Sequence, residues 1–188
     1  VNGQILTITP DADWNGELLI SITAFDGTGE SQSNFTLIVN PINDIPVFNA
    51  IPNQVTNEDE ALVYTMDIVD VDEDLLFLSG ETSPEISIEF IGNDLILTTD
   101  ENWYGNVDVT ITVFDGEFYV IQSFSLDVVS VNDAPVIDLV EDQIVDEDSE
   151  LTITLSAFDA ENDYLVFTAV DGGTSLIVDN NQLTMTPV

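Results

Sequence analysis

The residues of this chain that could do chemistry are almost all carboxylates. Asp and Glu together number 37, Lys, Arg and His number 0, and the formal charge at pH 7 is −37. With Cys also absent, no thiolate, imidazole or amine is present to act as nucleophile, general base or Schiff-base former. Two carboxylates can hydrolyse a glycoside, but no one pair stands out, and the chain is read as non-enzymatic. What remains is oxygen chemistry, from Asp, Glu, Asn and backbone carbonyls. Clustered carboxylates without an internal cation must take up protons or a metal. Zinc, copper and iron favour His or Cys. Magnesium keeps its waters and demands a strict octahedron, whereas calcium accepts about six to eight oxygens in tolerant geometry. Calcium is the expected cofactor.

The acids are also placed rather than scattered. Of the 37, 22 fall at 11–13, 26, 44, 58–60, 70–74, 100–101, 115, 133, 146–150 and 159–163, all at expected strand ends or corners. The expected solvent faces of the strands carry mostly Thr, Ser, Asn and Gln instead. A diffuse acidic coat would load those faces, so discrete cation sites fit the pattern better. The run "DVDED" (70–74) opens like an EF-hand loop. No Gly and closing Glu follow at that motif's spacing, and strands flank it, so the motif is rejected.

Composition excludes several partners. Phosphate recognition draws on Lys and Arg, so nucleic acid and anionic membrane surfaces are not expected. Lack of Cys removes any disulfide framework. A hydrophobic content of 44% argues for a folded chain despite the charge. No apolar run is long enough to span a bilayer, and the first residues do not read as a signal peptide.

The elements that must position the acids come from an internal repeat. "LTITPDADWNGELLISITAFDG" (6–27) matches "LILTTDENWYGNVDVTITVFDG" (95–116) at an offset of 89. "NDIPVF" (43–48) matches "NDAPVI" (132–137), and 57–77 matches 146–167, in the same way. With the Asn-Asp-x-Pro corner as boundary, 1–44 is the back part of one module, 45–133 a complete module and 134–188 the front part of the next. The missing initial Met and this out-of-phase cut lead to the expectation of an excerpt from a longer chain, its part-modules completed in cis or by another copy. Inside a module the period is two: Val107, Val109, Ile111 and Val113 face one way and Asp108, Thr110 and Thr112 the other. Strands are expected near 61–69, 74–79, 86–91, 94–99, 106–114 and 120–131, with a short piece at 54–57. Turns are expected at Gly80, 92–94, Gly105 and 115–118. About seven short strands in some 90 residues make an all-β chain of tandem Greek-key β-sandwich modules, Ig-like in architecture. Trp14 and Trp103, each two residues before a Gly, are read as corner or core residues rather than sugar platforms.

These motifs resemble the cadherin repeat. "AFDGTGESQSNFTLIVNPINDIPVF" (24–48) and "VFDGEFYVIQSFSLDVVSVNDAPVI" (113–137) are similar to its A-x-D-x-G strand and D-x-N-D-N-x-P-x-F end. "AFDAEND" (157–163) resembles its A-x-D-x-D segment, and "TDEN" (99–102) and "PDAD" (10–13) stand where it has L-D-R-E. The short strands, "W-[NY]-G" and "V-N-D-A-P" look most like the bacterial cadherin-like tandem repeats of giant RTX-type adhesins. The resemblance implies calcium between successive modules. At the first junction it implies Asp11, Asp13, Asn43 and Asp44 from one module, with Asp70, Asp72 and Asp115 from the next. At the second it implies Glu58, Asp100, Asn102, Asn132 and Asp133, with Asp159 and Glu161 across the boundary. Asp26 would serve a junction further upstream. Departures are Ile45 and Ala134 for the second Asn of N-D-N, Asn102 for the Glu of L-D-R-E, and Glu161 for an Asp. The early Glu of the family could be Glu58 or Asp59.

The resemblance implies a calcium-stiffened spacer in an extracellular surface adhesin, with calcium ions and neighbouring repeats as partners and glycans or other surface proteins beyond them. Two further readings stand beside it. One is a subunit of an extracellular filament or sheath, joined head to tail by complementary half-modules. The other is a carbohydrate-binding module.

Overall fold

The structure, a computed structural model, describes residues 5–170 and 175–186. Every regular element among them is a β-strand. An N-terminal hairpin is formed by β1 (Gly16–Phe25) and β2 (Glu30–Val39). Next come β3 (Val47–Phe48), β4 (Gln54–Asn57), β5 (Leu62–Thr65), β6 (Ile68–Val69) and β7 (Phe77–Glu81). After them come β8 (Ile86–Ile91), β9 (Asp94–Thr99), β10 (Gly105–Phe114) and β11 (Tyr119–Val129). The last part holds β12 (Val136–Ile137), β13 (Leu151–Thr154), β14 (Ala157–Phe158), β15 (Ser175–Asp179) and β16 (Gln182–Thr186).

β3 to β11 make a β-sandwich. One sheet has the order β4-β11-β10-β7, with β4 parallel to β11 and the other pairs antiparallel. The opposing strands are β5-β9-β8 and the short pair β3-β6. Alternation explains the packing. Val109, Ile111 and Val113 of β10 are wholly buried, and Phe124, Leu126 and Val128 of β11 lie inward beside them. Leu95 and Leu97 of β9 meet them from the other sheet, with Met66 and Ile86. Each such side chain contributes about 1.5–3 kcal/mol by leaving water. The outward positions of β10 carry Asp108, Thr110 and Thr112, as period two requires.

Three sequence expectations are corrected. The stretch 61–69 is two strands, because its backbone changes partner: Leu62–Thr65 pairs with β9, and Ile68–Val69 pairs with β3. The inward alternation of Met66 and Ile68 runs through the change, so periodicity could not reveal it. The strand expected at 74–79 starts at Phe77, since the Asp74 amide is drawn back to Asp70 Oδ1 (3.3 Å). Gly80 is not a turn but lies inside β7. A Cβ there would come within 2.7 Å of Ile88 Cδ1 and 3.2 Å of Ile111 Cδ1, so glycine lets the sheets approach closely. Trp103 packs against the core and its ring lies over Gly105, as Trp14 lies over Gly16, in keeping with a corner role.

Candidate metal centres

The acidic corners are built by left-handed turns that recur with the repeat. Asp13 and Asn102, Asp59 and Asp148, and Glu73 and Asn162 all have φ between 56° and 62°. Most are Asp or Asn, the non-glycine residues that best tolerate this region. The Asn102 amide donates to Asp59 Oδ1 (3.0 Å), joining the β4–β5 corner to the β9–β10 corner. Asn102 therefore suits the turn itself.

At the first junction the structure brings together residues from both sides of the module boundary. The Asp44 amide donates to Asp72 Oδ2 (2.8 Å) and Asn43 Nδ2 donates to Asp115 Oδ2 (3.0 Å). Asp70 Oδ1 takes the amides of Asp72 (2.9 Å) and Asp74, while Asp70 Oδ2 is buried with no hydrogen-bond partner. Asp70, Asp72 and Asp74 each offer an oxygen within 4.8 Å of the others. Asp11, Asp13, Asp44 and Asp72 line a cleft of about 370 Å³ beside them.

The second junction repeats the scheme. Glu58, which is 2% exposed, accepts the Val131 amide on Oε1 (2.7 Å), and the Asp133 amide donates to Glu161 Oε2 (3.1 Å). Glu58 Oε2, Asp133 Oδ2 and Glu161 Oε1 are buried without partners. Asp159 is buried and holds the Asp163 amide on Oδ1 (2.8 Å), as Asp70 holds that of Asp74. Of the two candidates for the early acid, Glu58 is the buried one with a partnerless oxygen, while Asp59 accepts the Asn102 amide and also lies near enough to Asp133 to repel it. Asp100 is exposed, and its described hydrogen bonds are made by its backbone, to Glu85 and Trp103. Asn132 is exposed as well, its Nδ2 donating, among the described residues, to the carbonyl of Asp133 (2.8 Å).

Two acids near these groups were counted in the clusters but not assigned as ligands from the sequence, Asp74 and Glu101, and Asp59 entered only as the alternative to Glu58. Asp74 was within reach, because D-x-D-x-D (70–74) and D-x-E-x-D (159–163) share their third acid at the repeat offset.

The electrostatics are those of crowded like charges. Desolvation pushes the Asp44 carboxyl above its ordinary value, and Asp13, Asp72 and Asp70 add repulsion. Asp133 is raised in the same way, by desolvation first and then by Glu161, Asp59, Glu58 and Glu101. Desolvation would raise Asp115 too, but the amides of Phe118 and Glu117 and the Asn43 side chain outweigh it and hold that carboxyl low. Among the described residues, five side-chain oxygens are buried without a partner, and four are carboxylate oxygens at the junctions. Such a donor set, all hard oxygen and partly preordered by backbone amides, fits a divalent cation such as calcium.

No protein-family model and no curated protein sequence matches the chain. Among solved structures, it is similar to Drosophila N-cadherin EC1-4, 14% identical with a TM-score of 0.44, over 93% of this chain and 49% of that one. Human protocadherin-24 EC1-2 is 19% identical with a TM-score of 0.43, over 61% and 66%. The endo-fucoidan hydrolase MfFcnA4 of glycoside hydrolase family 107 is 17% identical with a TM-score of 0.43, over 96% and 31%. The chain spans 31% of the hydrolase and 49% of the N-cadherin fragment. The fold is an all-β sandwich. Likenesses this low say nothing about activity. No described helix is long and apolar enough to cross a membrane.

Proposed function

We propose that this chain is a calcium-binding, calcium-rigidified segment of an extracellular surface protein of the bacterial adhesin kind, working as a spacer between modules. One observation carries the reading: Glu58, Asp70, Asp133 and Glu161 each bury an unpartnered carboxylate oxygen at a module seam, in a chain with no Lys, Arg or His. Leaving such oxygens unpaired costs about 1–3 kcal/mol each, and no side chain here can supply the missing positive charge. A calcium ion, when bound, would supply that charge to oxygens drawn from both sides of a seam.

The chain's own residues do the rest. Asp44 and Asp72 already clasp the first seam through an amide–carboxylate bond, as Asp133 and Glu161 clasp the second. Asp70, Asp115 and Asp159 are fixed by backbone amides, which keeps their second oxygens aimed and lowers the ordering cost of binding. Repulsion within each cluster favours any cation that relieves it. A seam gathered from two modules then moves as one body, and a string of sandwiches becomes a rod.

Calorimetric titration of the metal-free protein with calcium tests this, alongside thermal melts and solution scattering. Saturable binding, a higher melting temperature and a more extended, less flexible particle are expected. A flat titration with unchanged melting and scattering would end the proposal.

A further inference from the structure

Tension along the chain falls on one pair of strands in the middle module. The backbone enters that module at the first seam, beside Asp44, and leaves it at the second, through β11 and Val131. β4 is reached early and β11 last, yet the two are hydrogen-bonded neighbours. They run parallel, with Gln54 beside Leu126 and Asn57 beside Val129. Pulling the ends of the module apart therefore drags β4 back towards the first seam and β11 on towards the second. The pair slides along its own length, and all of its bonds must stretch together. The antiparallel neighbours β10 and β11, joined by a turn, are not loaded in this way. β3, met before β4, grips β6 over two residues only and resists less.

β4 has four residues, but side chains lengthen its hold at both ends. Before it, Asn53 Oδ1 accepts the Ser125 amide (3.1 Å). After it, the Glu58 amide donates to the Val129 carbonyl (2.9 Å), and Glu58 Oε1 accepts the Val131 amide (2.7 Å). The contact thus runs from Ser125 to Val131. Glu58 stands at its far end and is 2% exposed, so water does not readily replace these bonds. Its other oxygen, Oε2, is buried without a partner, as are Asp133 Oδ2 and Glu161 Oε1. One side chain belongs to two structures, Oε1 to the strand pair and Oε2 to the second seam.

We infer that Glu58 couples the two, so that cation binding at the second seam sets the load at which the middle module opens; this coupling rests on the calcium reading above. β4 cannot slide past β11 unless Glu58 leaves the Val131 amide. In leaving, Glu58 gives up whatever Oε2 holds in common with Asp133 and Glu161, and the free energy of binding is added to the barrier. With no cation, Glu58 and Asp133 repel each other across the same contact, and the barrier lacks that support. Linkage makes the effect reciprocal: load that strains β4 against β11 weakens binding at the seam.

Constant-force optical tweezers on the full 188-residue chain test this, in calcium and in chelator. The chain has no Cys, so one cysteine added at each end gives unique attachment points. Opening of residues 45–133 is recognised by its length, on the order of 300 Å at about 3.3–3.6 Å per residue. At a hundredfold excess of calcium over Kd, the module should survive up to about 100-fold longer at a given force than in chelator. Glu58→Gln keeps an acceptor for Val131 and should show one lifetime in both buffers. Asn53→Ala should shorten the lifetime about 2- to 10-fold in both and keep the gain from calcium, because its bond lies at the other end of the pair. A Glu58→Gln chain that still gains from calcium, or an Asn53→Ala chain as durable as the parent, would overturn the inference. Calorimetry on the same samples separates two failures. Binding without a longer lifetime in the parent overturns the coupling and leaves the calcium reading standing, whereas absence of binding ends both.

Discussion

Glu58→Gln should change the sign of its effect when calcium is added. Glu58 is 2% exposed, Oε1 takes the Val131 amide at 2.7 Å, and Oε2 is buried beside other acids with no partner. Gln keeps an oxygen for Val131, removes the charge, and places a donor among carboxylates, one of which, Asp133, also has an orphan oxygen. Relief of an unsatisfied buried group is worth about 1–2 kcal/mol. At about 2–4 °C per kcal/mol for a chain of this size, the variant should melt about 2–8 °C higher in chelator. Calcium reverses the order. At a hundredfold excess over Kd a site contributes about 2.7 kcal/mol to the parent. A neutral Gln at a ligand position forfeits most of that, leaving the variant about 1 kcal/mol less stable. Paired melts in chelator and in calcium, read by circular dichroism, provide the assay. If Glu58→Gln is destabilising by the same amount in both buffers, Glu58 is only an acceptor for the Val131 amide and the seam argument fails.

Other outcomes follow from the same geometry. Without divalent ions, acidification from neutral pH should first stabilise the protein. Asp44 and Asp133 have folded values above 3.8, so the native state takes up protons before the unfolded chain does. Below that point Asp26 and Asp115, held under 3.8, and Glu85, held under 4.5, withdraw stability as they protonate, giving a mildly acidic maximum in melting temperature. With calcium present, acidification should destabilise from the start, because protons and the ion compete for the same oxygens. Gly80→Ala should cost about 1–3 kcal/mol in urea unfolding, since its Cβ would meet Ile88 Cδ1 at 2.7 Å. Asn102→Val should cost about 1–2 kcal/mol at φ 56°, while Asn102→Gly stays close to the parent in the same assay.

The sandwich was legible because period two is a property of side chains, and burial in β10 and β11 follows it position by position. What periodicity misses is the backbone's choice of partner. Met66 and Ile68 point inward through a change of sheet, and Gly80 is small for a packing reason that lies on another strand, at Ile88 of the opposing sheet. At the seams, the cadherin resemblance implied one group for Asp44 with Asp72 and another for Asp133 with Glu161, and each pair is joined by an amide–carboxylate bond. It could not choose between Glu58 and Asp59. They are neighbours on one turn, and only the fold decides that Glu58 meets the Val131 amide while Asp59 meets that of Asn102.

The separation of core from charge has a consequence for how such a chain would stiffen. The buried cluster around Ile111, Leu95 and Leu126 contains no acid, and the partnerless carboxylates all lie beyond strand ends. Losing a cation would therefore relax the seams without opening a sandwich. Far-UV dichroism should hold steady while scattering changes. One antiparallel pair links the seams: just past β10, Asp115 receives Asn43 at one end, and just past β11, Val131 donates to Glu58 at the other. A hydrogen-bonded pair of strands is stiff along its length, so the orientation set at one seam is carried to the next. The seams themselves differ. The first is tied by Asn43 to Asp115 as well as by Asp44 to Asp72, whereas among the described residues the exposed Asn132 makes no side-chain bond across the second. Bending should therefore concentrate at the second seam.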